Sequence, residues 1–260
     1  MARRLGFRLL RFGARAFVRV DHLVDRLSTS SRLLIGSLLC RALTPEEMNE
    51  VSIWLYDRAP RRYVGRDLWT WEEGWLSARL PPPPARILIG AAGSGREAVA
   101  LAQRGYHIDA FEPAARMASL AAAVLDRADS PVASLATEHY DAVLLGWGAL
   151  SHVILPSVRE RTLATAAALA PDGPVLASFL LRGQDRRSGR SRRLGCAIGD
   201  RIGRARGVTE DTGEVSFSTN LGFAYVFGKG ELEALAASCD RQLVWDREPG
   251  FPHATFLPLS

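Results

Sequence analysis

The chain has 260 residues, of which 47% are hydrophobic and 23% charged, and its net charge is +5. These proportions exclude a disordered chain and allow one large α/β domain, with or without a helical extension. The cysteines Cys40, Cys196 and Cys239 lie far apart without a C-x-x-C pair, which predicts neither a disulfide framework nor a metal site. No run approaches the roughly 20 apolar residues of a membrane span, and the N-terminus lacks the apolar centre of a signal peptide. We therefore expect a cytoplasmic protein.

The first 80 residues have the pattern of a helical extension. Apolar residues from Leu5 to Leu27 recur at spacings of three or four, which places them on one face of a long helix. Arginines run beside this face, each directly before an apolar position: Arg4, Arg8, Arg11, Arg15, Arg19 and Arg26. One interpretation is a surface helix with a solvated arginine face. The other is an interfacial helix, with peripheral membrane contact through residues 1–28 or contact with an acidic partner.

Two further helices are predicted in the extension. The first covers Ser31–Ala42 and the second runs from Thr44 to about Tyr56. Thr44 can cap the second helix, Pro45 suits its first position, and Glu47 completes a capping box.

An aromatic segment and a proline run follow. Residues 68–75 include three tryptophans, which either pack the extension onto a sheet or line the entrance of a pocket. Pro81 to Pro84 form a stiff spacer. They predict a boundary between a helical N-terminal extension, residues 1–80, and a second domain, residues 84–260.

Strands alternate with helices in the second domain. The predicted order is strand 86–89, helix 97–104, strand 107–111, helix 114–125, at most a very short strand at 132–134, strand 140–145, helix 158–169, strand 174–179, helix 230–238, and strands 242–246 and 253–257. This alternation predicts a mainly parallel, doubly wound sheet. The last two strands have no helix between them, so they must pair antiparallel or lie apart.

The most informative segment is the turn between the first predicted strand and helix. It reads Gly90-Ala91-Ala92-Gly93-Ser94-Gly95, and Glu112 follows 17 residues after Gly95, at the end of the second strand. Glycines let backbone N–H groups approach a ligand, and a carboxylate at this place can accept hydrogen bonds from ribose hydroxyls. The unit therefore predicts nucleotide binding, and the loop can also be aligned with a dinucleotide fingerprint.

The loop resembles motif I of the class I S-adenosylmethionine-dependent methyltransferases, which reads acid-x-Gly-x-Gly-x-Gly. Gly93 and Gly95 match the last two glycines, whereas Ala91 replaces the first and Ile89 replaces the acid. The step of 17 residues to Glu112 is also similar to that of the family.

Two downstream segments strengthen the resemblance. Tyr140 to His152 looks like the family's fourth strand and the loop after it, and Leu169 to Leu176 looks like its L-x-P-G-G-x-L signature, with Asp172 at the first glycine. The resemblance covers about residues 84–260, apart from an insertion at 181–227. It implies a seven-stranded, mostly parallel sheet whose last strand is antiparallel, and a methyltransferase acting on a small molecule.

The resemblance also implies a site. The residues expected to bind S-adenosylmethionine are Gly90, Ala91, Gly93, Gly95, Glu112, Gly146 and Trp147. The third strand's acid, which often contacts the adenine amine, has no clear match; the candidates are Asp129, Ser134, Thr137 and Glu138. His152 is the candidate general base because its ordinary pKa is near neutral, and a structural, hydrogen-bonded histidine is the alternative.

The insertion is rich in arginine and glycine. Nine arginines lie between Arg182 and Arg206. They form either a mobile, solvated loop or a lid that recognises an anionic acceptor. Few aromatic residues are interleaved, so nucleic acid is not an expected partner. Phe223 and Tyr225 are candidates for side chains that point into the pocket. The alternatives to a methyltransferase are an inactive, methyltransferase-like binding protein and a flavin- or nicotinamide-dependent oxidoreductase.

Overall fold

The computed structural model describes residues 23–24, 27–58, 67–127, 139–183, 189–208, 210, 213–246 and 250–259. The chain forms two compact units: a helical unit, Met1–Leu43 with Arg187–Thr209, and a sheet unit, Thr44–Arg186 with Glu210–Ser260. The division differs from the predicted boundary at residue 80, because the helices that follow Leu43 belong to the sheet unit. The interfacial helix predicted within residues 1–28 falls almost wholly outside the described residues.

The helices are α1 (27–42), α2 (Pro45–Arg58), α3 (Thr70–Arg79), α4 (Arg96–Ala102), α5 (Ala115–Arg127), α6 (Ala149–His152), α7 (Pro156–Leu169), α8 (Arg190–Arg206) and α9 (Lys229–Ala237). The strands are β1 (Arg86–Gly90), β2 (His107–Phe111), β3 (Ala142–Leu145), β4 (Val175–Ser178), β5 (Leu180–Leu181), β6 (Val215–Ser218), β7 (Gly222–Phe227), β8 (Arg241–Trp245) and β9 (His253–Pro258). No helix in the described part of the chain is long and apolar enough to cross a membrane.

The main sheet has the order β2-β1-β3-β4-β9-β8. The pairs β1–β2, β1–β3 and β3–β4 are parallel, and β9 is antiparallel to both β4 and β8. The predicted α/β class, the mostly parallel sheet and the antiparallel last strand are therefore confirmed. The described sheet has six strands where seven were predicted. The short strand predicted at 132–134 lies outside the described residues.

Alternate residues of the central strands pack on opposite faces of the sheet. Ile87 and Ile89 of β1 belong to one apolar cluster and Leu88 to the other. Trp75 of α3 is 2% exposed and packs in the cluster of Ile87 and Ile89. Of the two interpretations of the tryptophan-rich segment, burial of Trp75 favours packing of the helix onto the sheet.

The capping box predicted for α2 is present. The Thr44 N–H donates to Glu47 Oε2 at 2.9 Å, and the Glu47 N–H donates to Thr44 Oγ1 at 3.3 Å. α2 packs on β7, part of a small second sheet of order β5-β7-β6. Ser52 Oγ accepts from the Phe223 N–H at 3.0 Å, and a Cβ at Gly222 would lie only 2.6 Å from this oxygen.

The insertion contains a helix where a mobile, solvated loop was one of the two interpretations. α8 carries Gly195, Gly199 and Gly203, which share one helix face because they are four residues apart. A Cβ on these glycines would lie 2.2, 2.5 and 2.4 Å from the carbonyl oxygens of α1 residues 34, 38 and 41. The glycines that suggested a loop are therefore the positions at which the two helix backbones approach each other.

We expect Gly199→Ala to destabilise the helical unit. The new methyl group would overlap a backbone carbonyl of α1, so the helices must separate, at a cost of about 2 kcal/mol that outweighs the higher helix propensity of alanine. Gly230→Ala is the matched control, because Gly230 lies in α9 with open space around its Cβ position. Urea unfolding followed by circular dichroism measures both; equal stability of the two variants would contradict the described helix pairing.

Candidate functional site

The turn between β1 and α4 has an alternating left-handed backbone. Ala91, Gly93 and Gly95 have φ angles of +53°, +58° and +84°. An alanine in this conformation is strained by roughly 1 kcal/mol, yet Ala91 follows the course that glycine would take. Gly95 also allows α4 to approach α5, because a Cβ there would lie 3.1 Å from the Cβ of Ala121. The loop thus keeps the backbone shape of a three-glycine motif.

Glu112 connects the end of β2 to this turn. Its Oε2 accepts from the Gly93 N–H at 2.8 Å, and its Oε1 accepts from the Ala114 N–H at 2.8 Å. These bonds fix the carboxylate, and each oxygen retains a further lone pair for a ligand. Both donors are backbone N–H groups, so backbone hydrogen bonds hold the Glu112 carboxylate in place.

A cleft of about 850 Å³, which includes space open to solvent, lies against the turn and Glu112. The cleft lies at the carboxyl ends of β1, β2 and β3. Here β2 and β3 lie on opposite sides of β1, so the connections leave β1 in opposite directions. That is the place where ligands bind in open α/β sheets. The side walls come from the start of α4, from α6 and from α2.

Four of the residues predicted to bind the cofactor line the cleft: Ala91, Gly93, Glu112 and Trp147. Gly90, Gly95 and Gly146 do not line the cleft, and each instead leaves room for a neighbouring side chain or helix. A Cβ at Gly90 would lie 2.8 Å from the Leu145 side chain, and one at Gly146 would lie 3.3 Å from Glu97 Oε1. The third-strand candidates Asp129, Ser134, Thr137 and Glu138 lie outside the described residues.

Phe223 and Tyr225 do not line the cleft, so their predicted place there is corrected. Phe223 is fully buried with its ring 4.6 Å from that of Phe217, and the Tyr225 hydroxyl donates to Glu231 Oε1 at 3.0 Å. Both residues belong to β7, which packs against α2 and α6, and their side chains are buried there rather than in the cleft.

The α2 wall was missed by sequence reasoning. Asn49, Ser52, Ile53 and Tyr56 line the cleft, and their spacing of three and four residues places them on one helix face. The polar residues Asn49, Ser52 and Tyr56 on that face were the only hint in the sequence that it lines a site. Nothing in the sequence indicated that α2 belongs to the sheet unit.

A buried ionic cluster forms the wall beside α4. Arg96 Nη2 donates to Glu72 Oε1 at 2.7 Å and to Glu97 Oε1 at 2.6 Å, while Nη1 donates to Glu72 Oε2. Burial raises the pKa of Glu97, although the charge of Arg96 acts in the opposite direction. The carboxyl groups of Glu72 and Glu97 therefore share one guanidinium at this wall of the cleft. Ile89, at the place of the motif acid, is fully buried in the core.

Hydrogen bonds on both sides of His152 fix its tautomer. Its Nδ1 lies 3.0 Å from the Phe223 carbonyl oxygen, which can only accept, so Nδ1 carries a proton. Burial lowers the pKa of His152, partly offset by this bond. The neutral ring therefore accepts at Nε2, and the Tyr56 hydroxyl, 3.0 Å away, donates to it. Both residues line the cleft.

The lowered pKa of His152 gives a pH-dependent stability. Below about pH 6.5 the unfolded chain binds a proton at this histidine that the folded protein does not, so stability falls as pH falls toward the folded-state pKa. We expect wild-type protein to lose up to about 1.4 kcal/mol per pH unit more than His152→Gln between about pH 6.5 and 5. Urea unfolding at several pH values measures the difference. Parallel curves for the two proteins would exclude a buried neutral histidine.

Trp147 offers an unsatisfied donor at the cleft. Its indole ring contacts Trp69 edge-on, with ring centroids 5.0 Å apart. The buried Nε1–H has no hydrogen-bond partner among the described residues. Because buried polar groups are nearly always paired, this N–H is available to an acceptor atom of a ligand. Among the described residues, no group of three or more His, Cys, Asp or Glu side chains could hold a metal ion.

No family model and no curated protein sequence matches the chain, but solved structures do. CalS10, an amino pentose methyltransferase from Micromonospora echinaspora with SAM bound, has a TM-score of 0.54 at 17% identity, over 74% of this chain and 92% of CalS10. The CcbJ methyltransferase from Streptomyces caelestis has 0.55 at 14%, over 79% and 96%. A putative Zn-dependent alcohol dehydrogenase from Rhodobacter sphaeroides has 0.55 at 16%, over 80% and 98%.

The fold is that of the class I methyltransferases. Structural matches at such low sequence identity establish the fold and do not establish the reaction. Within the methyltransferase fold, the described cleft lies at the glycine turn, and Glu112 directly follows the second strand. α6 follows β3, with Trp147 before the helix and His152 as its last residue. The features that differ from motif I are Ala91, which keeps a left-handed backbone, and Ile89, which is buried in the core.

Proposed function

We propose that the cleft binds S-adenosylmethionine and that the protein transfers its methyl group to a small molecule. The observation that carries the proposal is Glu112, a carboxylate that faces the cleft at the end of β2 and is bonded to the N–H of the glycine turn. This is a suitable acceptor for ribose hydroxyls. The methyltransferase fold supports the same cofactor.

The remaining groups of the cleft match the charges of this cofactor. Glu97, which is bonded to Arg96, would hold the ammonium group of the methionine part, and the free N–H of Trp147 would donate to an acceptor atom of the ligand. The bound cofactor supplies an activated methyl group on a sulfonium centre. The contribution of the protein is then chiefly to hold the acceptor in line and to take its proton.

Tyr56 and His152 provide for that proton. Because the Tyr56 hydroxyl donates to His152 Nε2, its oxygen is oriented to accept from an O–H or N–H in the cleft. As the acceptor atom gains the methyl group, its proton moves to the Tyr56 oxygen and the tyrosine proton moves to Nε2. The predicted role of His152 as general base is thereby kept in our proposal, with Tyr56 between it and the acceptor.

The lining residues favour an acceptor without negative charge. Arg96 is the only arginine or lysine that lines the described cleft, and its guanidinium is bonded to Glu72 and Glu97. Glu97 and Glu112 add negative charge to the wall. The expectation of an anionic acceptor depended on a lid formed by the arginine-rich insertion. Most of those arginines belong to α8 instead. We propose a hydroxyl or amine acceptor that is neutral or cationic.

We expect Tyr56→Phe to lower kcat by about 100-fold, because general-base assistance contributes 10²–10⁴. Affinity for S-adenosylhomocysteine should stay within about twofold, since the ring and its packing remain. Transfer of a labelled methyl group to an acceptor found by screening measures the effect, and Ser119→Ala is the control because Ser119 is exposed on α5. An unchanged kcat would remove Tyr56 from the reaction.

Isothermal titration separates the three candidate functions. S-adenosylhomocysteine should bind and NADH should not. Binding without transfer to any tested acceptor would favour the inactive binding protein, and binding of NADH alone would favour the oxidoreductase. Failure of S-adenosylhomocysteine to bind would refute the methyltransferase proposal.

A further inference from the structure

Charge is distributed unequally between the two units. The helical unit contains 16 arginines and three aspartates, a net charge of +13. Since the chain as a whole carries +5, the sheet unit carries −8. About a quarter of the residues therefore carries a net positive charge larger than that of the whole protein.

The same unit also exposes aliphatic side chains. Of the ten exposed large hydrophobic side chains in the described part of the chain, six belong to it: Leu23, Val24, Leu27, Ile35, Leu194 and Ile202. Ile35 is 53% and Leu194 is 52% exposed. Exposed aliphatic side chains scattered over a surface need no explanation, but their concentration in the most basic unit does.

Both properties meet on one face of α8. The glycine face of this helix packs against α1, so the opposite face is turned away from α1. That face carries exposed Arg190, Arg193, Leu194, Arg201 and Arg204. Leu194 and Arg201 are seven residues apart, almost directly above one another on the helix. The one acid of α8, Asp200, lies 3.9 Å from Arg41 of α1.

We propose that the helical unit, through the outer face of α8, docks on the surface of a membrane that contains anionic lipids. Arginines bind the headgroups and the aliphatic side chains enter the boundary with the acyl chains, as in interfacial helices. The surface differs from the helix predicted within residues 1–28, because it is formed by α8. The proposal is independent of the reaction in the cleft.

Two other partners fit the surface less well. Nucleic-acid surfaces interleave basic residues with aromatic side chains on which bases stack, and α1 and α8 contain no aromatic residue. A second copy of the chain would bring together two units that each carry +13. Their mutual repulsion disfavours that contact.

Vesicle co-sedimentation tests the proposal with the full chain. The variant Leu194→Glu/Arg201→Glu places two acids on the outer face of α8. Its matched control is Leu259→Glu/Arg161→Glu, which makes the same chemical changes at two exposed residues of the sheet unit. Both variants lower the net charge equally, and circular dichroism verifies that both are folded.

Wild-type protein is expected to sediment with phosphatidylcholine vesicles that contain phosphatidylglycerol, not with pure phosphatidylcholine, and to be released by salt. The α8 variant should partition at least about tenfold less, because each basic residue near an anionic surface contributes about fivefold and its reversal adds repulsion. The control should partition as wild type does.

Three results would overturn the proposal. The first is absence of wild-type protein from the pelleted phosphatidylglycerol vesicles, and the second is an equal loss of partitioning in both double variants. The third is evidence that the surface binds another partner. Either the protein binds a duplex oligonucleotide tightly or it dimerises in light scattering, and the α8 variant abolishes that binding while vesicle binding persists.

Discussion

Glu72→Leu is expected to destabilise the protein by about 3 kcal/mol. Glu72 is 2% exposed and binds Arg96 through both carboxylate oxygens, while its Oε2 also accepts from the Trp69 N–H at the start of α3. Removing one partner of a buried ion pair leaves a charge that neither water nor protein compensates fully. Arg96 would retain Glu97 and the Asp67 carbonyl oxygen, and the Trp69 N–H at the start of α3 would lose its acceptor.

The neighbouring residue is a control on the same helix. Glu73 binds Arg104 at 2.8 Å, with 56% of its side chain exposed. An exposed pair contributes less than about 1 kcal/mol, so Glu73→Leu should have little effect. Urea unfolding without ligand measures both variants. Equal effects of the two substitutions would mean that the cluster beside the cleft is not buried as described.

Glu112→Ala is expected to weaken binding of S-adenosylhomocysteine by about 10-fold to 150-fold. Hydrogen bonds to a charged group contribute about 1.5–3 kcal/mol, and this carboxylate is proposed to hold the ribose. It also fixes the Gly93 N–H, so the turn loses a restraint when the side chain is removed.

Isothermal titration measures this change, with Glu233→Ala as control because Glu233 is an exposed acid of α9. Unfolding of the free variant must be measured in parallel to separate a loosened turn from a lost ribose contact. Affinity within about twofold of wild type, in a folded variant, would refute the ribose assignment.

Local patterns predicted the elements whose own residues determine them. β2 was predicted at its observed bounds, because His107 to Phe111 lie between a glycine turn and an acid. The start of α2 followed from the Thr44 and Glu47 capping box. The two C-terminal strands pair antiparallel, which is one of the two arrangements that their short connection allowed.

Tertiary contacts determined what the sequence could not predict. Gly195, Gly199 and Gly203 weaken a helix by propensity, yet close packing on α1 makes them necessary. Tyr56 became a site residue only because α2 packs on β7 beside His152.

The acid of motif I illustrates the same limit. Alignment identified Ile89 as a departure from the family pattern, whereas the structure places Glu97 on the cleft wall, paired with Arg96. A residue eight positions later can reach the cleft because α4 begins directly after the turn. Alignment identified the missing acid, and from the fold we propose that Glu97 takes its place.

A crystal structure of the protein with S-adenosylhomocysteine tests the central claim most directly. We predict that the ribose hydroxyl oxygens lie within about 3 Å of the Glu112 carboxylate, with the amino group at Glu97 and the sulfur facing the Tyr56 side of the cleft. A ligand bound elsewhere, or one whose ribose does not contact Glu112, would contradict the account.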